Sequence, residues 1–142
     1  MSMRVELRAF YGVVGAILVI PLVVGLVGAF GGLEGIALLF GVDRQIVIST
    51  SLRNSLRAIC FMFFALVPLM IWTLAALSER AVAFRIIVVC GFLAGFARLT
   101  GYLVEGYPGV MPMMLMTIEL AGMPILLMWH LRIVRLIRER KA

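Results

Sequence analysis

The stretch RLTGYLVEGYPGVMPMMLMTIELAG, residues 98–122, contains the end of one long apolar segment, a polar turn and the start of another apolar segment. The turn is predicted at Glu105-Gly106-Tyr107-Pro108-Gly109, because glycine and proline interrupt helices. Each neighbouring apolar segment has about 20 residues, the length that a helix needs to cross a bilayer. The stretch therefore predicts the end of one transmembrane helix and the beginning of the next.

The same pattern recurs along the chain and predicts four membrane spans, at about residues 10–30, 55–77, 81–103 and 111–131. The hydrocarbon core offers no hydrogen-bond partners to an open backbone, so each span is predicted to be a helix. The predicted fold is all-α. It is an integral membrane four-helix bundle that forms a single domain over residues 1–142, with a basic tail at residues 132–142.

The connection between the first two spans is too apolar for a simple loop. Residues 35–42 are apolar but too few to cross a bilayer, so a short interfacial or re-entrant segment is predicted there. Asp43-Arg44 then restores polarity, and Ile46-Val47-Ile48 is expected to lie along the membrane surface. Ser49-Thr50-Ser51 supplies candidate N-terminal caps for the second span.

The composition supports a membrane protein. Of the 142 residues, 64% are hydrophobic and 14% are charged, whereas soluble domains have about 45–50% apolar and about 25% charged residues. A soluble protein of this length could not bury so much apolar surface. The composition thus excludes a soluble enzyme, a nucleic-acid-binding domain and a disordered tail.

The basic residues predict the orientation in the membrane. Nine lie on the side of the two termini and four on the other, which by the positive-inside rule places both termini in the cytoplasm. The expected location is therefore a bacterial inner membrane, where the net charge of +6 serves topology and contact with anionic lipid rather than nucleic acid. The nine are Arg4, Arg8, Arg80, Arg85, Arg132, Arg135, Arg138, Arg140 and Lys141; the four are Arg44, Arg53, Arg57 and Arg98.

Three charged residues inside the predicted spans stand out: Arg57, Arg98 and Glu119. A charge at the centre of a span costs about 2.5–3.5 kcal/mol, so such residues normally find a partner. By helical rise, Glu119 lies about 12 Å and Arg98 about 8 Å below the outer boundary. Side chains lean towards the N-terminus of their helix, which brings these two to one level. We therefore predict an Arg98–Glu119 ion pair.

Small residues near this pair predict close helix packing. Gly91, Gly95 and Arg98 recur on one face of the third span, and Gly91-x-x-x-Gly95 is a spacing that lets another helix approach closely. On the fourth span Gly122 lies three residues after Glu119. We predict that Gly91, Gly95 and Gly122 lie in helix–helix contacts.

The charges allow several functions. The first is a non-enzymatic binding or accessory module, in which Arg98, Glu119, Arg53 and Arg57 form an outward-facing cluster for a lipid, a small anionic ligand or a partner helix. The second is a proton- or ion-coupled transporter subunit that uses Glu119. An ion pair that only fixes helix register is the alternative to both. Membrane lipids are the expected partners, with a homo-oligomer or another membrane protein left open.

The sequence contains no motif typical of catalysis or metal binding. Cys60 and Cys90 are expected at different depths, as small buried side chains rather than a disulfide. His130 is expected to be an interfacial side chain beside the basic tail. No catalytic residue, metal or cofactor is therefore predicted.

Five short segments, taken in order, resemble a known family. They are Leu38-Leu39-Phe40-Gly41-Val42, Leu52-Arg53, Ala97-Arg98-Leu99, Glu105-Gly106-Tyr107-Pro108 and Ile118-Glu119-Leu120-Ala121-Gly122. On these segments the chain is similar to the small bacterial four-helix membrane family known as domain of unknown function 4345, over about residues 10–131. The resemblance implies that Arg53, Arg98, Gly106, Pro108 and Glu119 are family-pattern positions, whereas a small residue is usual where this chain has Arg57. It implies no reaction.

A looser likeness to DoxX-type membrane proteins rests on architecture alone and makes a membrane oxidoreductase subunit the third functional hypothesis.

Overall fold

The computed structural model describes residues 3–41 and 49–140, and these residues form helices and short turns without a β-strand. Four stretches of helix are long and apolar enough to cross a membrane, which confirms the predicted all-α class and the four spans. The helices are α1 (Met3–Phe40), α2 (Thr50–Ala75), α3 (Ala81–Glu105), α4 (Val110–Thr117) and α5 (Met123–Glu139), with a π-helical segment (Ile118–Gly122) that joins α4 to α5.

The helix ends differ from the predicted ends in two places. The predicted basic tail from residue 132 is helical as far as Glu139, as a continuation of α5. Arg135 and Glu139 form an ion pair of 2.9 Å one turn apart, and Arg138 in the last turn suits the negative end of the helix dipole. At the other end of the chain, α1 begins at Met3, ahead of the predicted span.

The chain divides into two compact units, and each is described by itself. The hairpin unit comprises Tyr11–Ile71, and the termini unit comprises Met1–Phe10 together with Trp72–Ala142. The hairpin unit therefore contains most of α1 and α2. The termini unit contains the start of α1, all of α3 to α5 and the π segment.

In the hairpin unit the chain turns back on itself at Gly32. Its φ of 59° and ψ of −145° are accessible to glycine and strained for other residues. A Cβ placed on Gly35 would lie 2.8 Å from the carbonyl oxygen of Val27, although a straight helix would separate these residues by two turns. The helical part of the predicted re-entrant segment thus folds back along α1. The remainder, including Asp43, Arg44 and Ile46-Val47-Ile48, lies outside the described residues.

Glycines of α1 allow α2 to approach closely in the same unit. A Cβ on Gly25 would lie 2.7 Å from the backbone nitrogen of Phe64, and one on Gly28 would collide with the sulfur of Cys60. The start of α2 is capped as predicted, because the Ser49 hydroxyl accepts a hydrogen bond of 3.3 Å from the backbone N–H of Leu52. These contacts fix the hairpin.

Aromatic rings form the core of the termini unit. Phe10 of α1, Phe84 of α3 and His130 of α5 are fully buried. The rings of Phe84 and His130 stack with centroids 4.3 Å apart, and Trp129 packs edge-on against Phe10 at 5.4 Å. The start of α1, the start of α3 and the second half of α5 therefore meet at one level. The side chain of His130, expected at the interface, is buried in this core.

Candidate functional site

The ion pair predicted between Arg98 and Glu119 is present. Arg98 lies on α3 and Glu119 in the π segment, and the Nε–H of Arg98 donates a hydrogen bond of 2.8 Å to Oε2 of Glu119. The Glu119 side chain is 13% exposed and that of Arg98 is 33% exposed. Within the part of the chain that the structure describes, the Arg98 guanidinium has no second acceptor. Part of its hydrogen-bonding capacity is thus free and accessible.

Two of the three predicted packing glycines bring the partner helices together. A Cβ on Gly95 would lie 2.6 Å from the Cβ of Glu119, so only glycine permits the observed approach of α3 to the π segment. A Cβ on Gly91 would lie 3.2 Å from the terminal carbon of Met123. For Gly122 the prediction is not supported, because a Cβ there would meet only Ile118 of its own helix, at 3.7 Å.

The π-helical turn around Glu119 was not predicted. The N–H of Met123 donates to the carbonyl of Ile118, five residues earlier, instead of the α-helical four. Pro124 supplies the physical reason, because it lacks an N–H and its ring clashes with the carbonyl four residues before it in an α-helix. A proline within a span predicts a kink but does not give the form of the distortion. Such turns are frequent at functional sites, and this one carries the acid of the ion pair.

Arg53 and Arg57 both lie on α2 in the hairpin unit, and both are exposed. The Arg57 side chain packs over the turn at Gly32, where its Nε lies 3.1 Å from the position that a glycine Cβ would take. Arg98 and Glu119 belong to the termini unit. The expectation that all four residues form one cluster therefore stays a prediction.

A shallow apolar groove lies along α4, and neither Arg98 nor Glu119 lines it. It follows one face of α4 and reaches Ile118, the residue before Glu119, with a volume of about 380 Å³. Its position allows an apolar group to lie against α4. Its lining consists of Tyr107, Val110, Met113, Met114, Thr117 and Ile118.

One family model matches the chain. It is described as domain of unknown function (DUF4345), and the match covers residues 7–130. The chain belongs to the DUF4345 family. The match includes Arg53, Arg98 and Glu119, and it confirms the resemblance noted in the sequence. No curated protein and no solved structure matches the chain significantly.

The DUF4345 chain also has a second charged cluster, which sequence analysis missed. We call Glu6, Arg85, His130 and Arg132 the termini-end cluster. Glu6 is 8% exposed and forms an ion pair of 3.0 Å with Nε of Arg132, which joins the start of α1 to α5. Nε of Arg85 and both ring nitrogens of His130 are buried and have no hydrogen-bond partner among the described residues. A buried polar group without a partner costs about 1–3 kcal/mol.

Within residues 3–41 and 49–140, no three His, Cys, Asp or Glu side chains are grouped so that they could hold a metal ion. The two cysteines are free thiols. Cys60 is buried in the hairpin unit, whereas Cys90 of α3 is exposed. The functional proposal for this DUF4345 protein is therefore based on the Arg98–Glu119 pair.

Proposed function

We propose that this DUF4345 protein is a non-enzymatic binding module of a bacterial inner membrane, with both termini in the cytoplasm. In this proposal, Arg98 binds the phosphate or carboxylate of a lipid or a small amphiphile. The observation that carries it is the partly exposed Arg98 guanidinium, which donates to Glu119 through Nε and has no second acceptor within the described residues.

The chemistry of the pair suits an anionic ligand. A guanidinium is a planar fork that binds carboxylates and phosphates with two parallel hydrogen bonds. Glu119 holds this fork in a defined orientation and balances its charge, which makes an arginine tolerable at membrane depth. The two terminal nitrogens of Arg98 are then the donors that remain for a ligand.

The groove on α4 supports an amphiphile rather than a fully polar ligand. It reaches Ile118, the residue before Glu119 in the sequence, and is lined mostly by apolar side chains, including Met113 and Met114. Methionine adapts its shape to different apolar surfaces. An apolar body in the groove and an acidic group on Arg98 would use both features together.

The test measures which lipids the purified protein retains in detergent, by native mass spectrometry. We expect the wild type to retain phosphatidylglycerol in preference to phosphatidylcholine, Arg98→Gln to lose this preference, and Arg98→Lys to keep only part of it. Thr100→Ala is the matched control, because Thr100 lies two residues away on α3 and its exposed hydroxyl donates only to the carbonyl of Ala97. Equal retention by all four proteins would exclude the proposal.

A second set of variants separates binding from folding. The pair serves packing alone if three results are found together. Arg98→Ala and Glu119→Ala both unfold, the double variant with Arg98→Glu and Glu119→Arg folds, and the wild type retains no lipid selectively. Retention of a protein instead of a lipid would assign the free guanidinium to a partner helix.

The π turn gives a proton- or ion-coupled transporter subunit as the second candidate. It places a carboxylate at a distorted point of a span, as in transporters with interrupted helices. However, the helix has no ionisable side chain from Leu120 to Trp129, where a proton path to His130 would need one. Proton flux into proteoliposomes should fall in Glu119→Gln if this function holds, and flux that is indifferent to the change excludes it.

A further inference from the structure

The end of the termini unit where the chain begins and ends is strongly basic. Contacts between Glu6 and Arg132, and between Phe84 and His130, place the start of α1, the start of α3 and the second half of α5 at this end. Eight arginines lie there against three glutamates, a net charge of +5. The arginines are Arg4, Arg8, Arg80, Arg85, Arg132, Arg135, Arg138 and Arg140; the glutamates are Glu6, Glu79 and Glu139.

Two of the three glutamates at this end form ion pairs. Glu6 is bound by Arg132, and Glu139 by Arg135. Arg80 contacts Trp72: it donates a hydrogen bond of 2.6 Å to the Trp72 carbonyl, and its guanidinium lies over the Trp72 indole ring. The excess of guanidinium groups therefore remains without carboxylate partners among the described residues.

Arg85 occupies a special position among these arginines. Its Nε is buried and has no hydrogen-bond partner among the described residues. Arg85 follows Phe84, whose ring stacks on His130, and the two ring nitrogens of His130 likewise have no partner there. A ligand made of acceptors only, such as a phosphate, would satisfy guanidinium donors. Arg85 as a whole is half-buried.

Exposed apolar side chains lie at the same end of the termini unit as these arginines. Val82 and Ile86 flank Arg85 on α3, Val5 lies near Glu6 on α1, and Leu131 precedes Arg132 on α5. A surface that is basic and apolar at one level matches the boundary between the headgroup and the acyl chains of a phospholipid. A nucleic acid or a soluble acidic peptide would leave these apolar side chains in water.

We propose that this end of the termini unit is a binding site for the phosphate headgroup of an anionic phospholipid, with Arg85 as its central donor. The site is independent of the proposed function at Arg98. Thirteen residues separate Arg85 from Arg98 along α3, and thirteen separate Glu119 from Arg132, which corresponds to about 20 Å of helix in each case.

Both tryptophans of the chain report on this end. Trp129 packs against Phe10, and Trp72 is contacted by Arg80. The experiment reconstitutes the protein in phosphatidylcholine with brominated acyl chains, which quench tryptophan fluorescence, and adds unbrominated phosphatidylglycerol. Recovery of fluorescence measures how strongly the anionic lipid replaces phosphatidylcholine next to the tryptophans.

We expect phosphatidylglycerol to be preferred by the wild type, and Arg85→Gln to lower this preference about fivefold, the effect of one arginine near a headgroup. Thr100→Ala on the same helix is the matched control, because the exposed Thr100 hydroxyl donates only to the carbonyl of Ala97, and it should leave the preference unaltered. If Arg85→Gln does not fold, Arg8→Gln, an exposed arginine of α1, takes its place with the same expectation.

Three outcomes overturn the proposal. They are equal preference for the two lipids, an undiminished preference in the variants at Arg85 and Arg8, and an equal loss in Thr100→Ala. Inorganic phosphate is added in a further arm, at matched ionic strength. If it removes the preference more than chloride does, the site binds free phosphate and the assignment to a lipid is wrong. Failure of the lipid-retention test at Arg98 leaves these outcomes unaffected.

Discussion

The two ion pairs of the termini unit hold charge in different ways. In the Arg98–Glu119 pair both partners come from apolar stretches, and both side chains are largely covered, at 33% and 13% exposure. In the Glu6–Arg132 pair the acid is 8% exposed but the arginine is 70% exposed. Each member of the first pair depends on the other, whereas in the second only the acid does. The difference predicts how each pair responds to the loss of one partner.

The largest effect is expected from Glu119→Ala. It leaves Arg98 without its acceptor at membrane depth, and breaking a buried pair in this way costs about 3 kcal/mol. Thermal unfolding in detergent, followed by tryptophan fluorescence, measures the effect in the termini unit, where both tryptophans lie. Replacing both partners, with Arg98→Leu and Glu119→Leu together, should cost less than Glu119→Ala alone. A greater cost for the double variant would contradict the mutual dependence.

Gly95→Ala tests whether the first pair requires the close approach of its helices. The added methyl group would lie 2.6 Å from the Cβ of Glu119, so α3 and the π segment must separate, at a cost of about 2 kcal/mol. Gly101→Ala on the same helix is the control, because a Cβ there meets nothing within 4 Å. It should be neutral or slightly stabilising, since alanine favours helix over glycine. Equal losses in both variants would show that helix geometry, not the ion pair, is affected.

The asymmetry of the second pair is tested by comparing its two single variants. Arg132→Ala leaves the Glu6 carboxylate buried without its donor and should cost about 1.5 kcal/mol. Glu6→Gln keeps an acceptor for an arginine that is already exposed, so its cost should stay within about 0.5 kcal/mol. Both are measured by the same unfolding assay. A larger loss in Glu6→Gln than in Arg132→Ala would reverse the interpretation.

The first pair could be predicted from sequence and the second could not, for a physical reason. Arg98 and Glu119 lie on consecutive spans joined by a short turn, so helical rise and side-chain tilt determine their levels. The Glu6–Arg132 contact joins opposite ends of the chain and depends on which helix faces meet. The glycine pair Gly31-Gly32 follows the first predicted span, but the direction of the turn there depends on a backbone conformation that composition does not encode.

The same limit of sequence-based prediction applies to His130. Its position along the chain predicts its depth in the membrane but not which side chains surround it. It is fully buried against Phe84, and both its nitrogens lack partners within residues 3–41 and 49–140. His130→Phe would keep a ring in the stack and remove two unsatisfied polar atoms, so it should raise stability by about 1 kcal/mol. The control is Trp129→Phe, which changes a neighbouring ring without removing an unpaired buried nitrogen and should bring no gain. A loss in His130→Phe would mean that the imidazole has a partner at this end of the unit. In that case His130 would belong with Arg85 to the proposed phospholipid site.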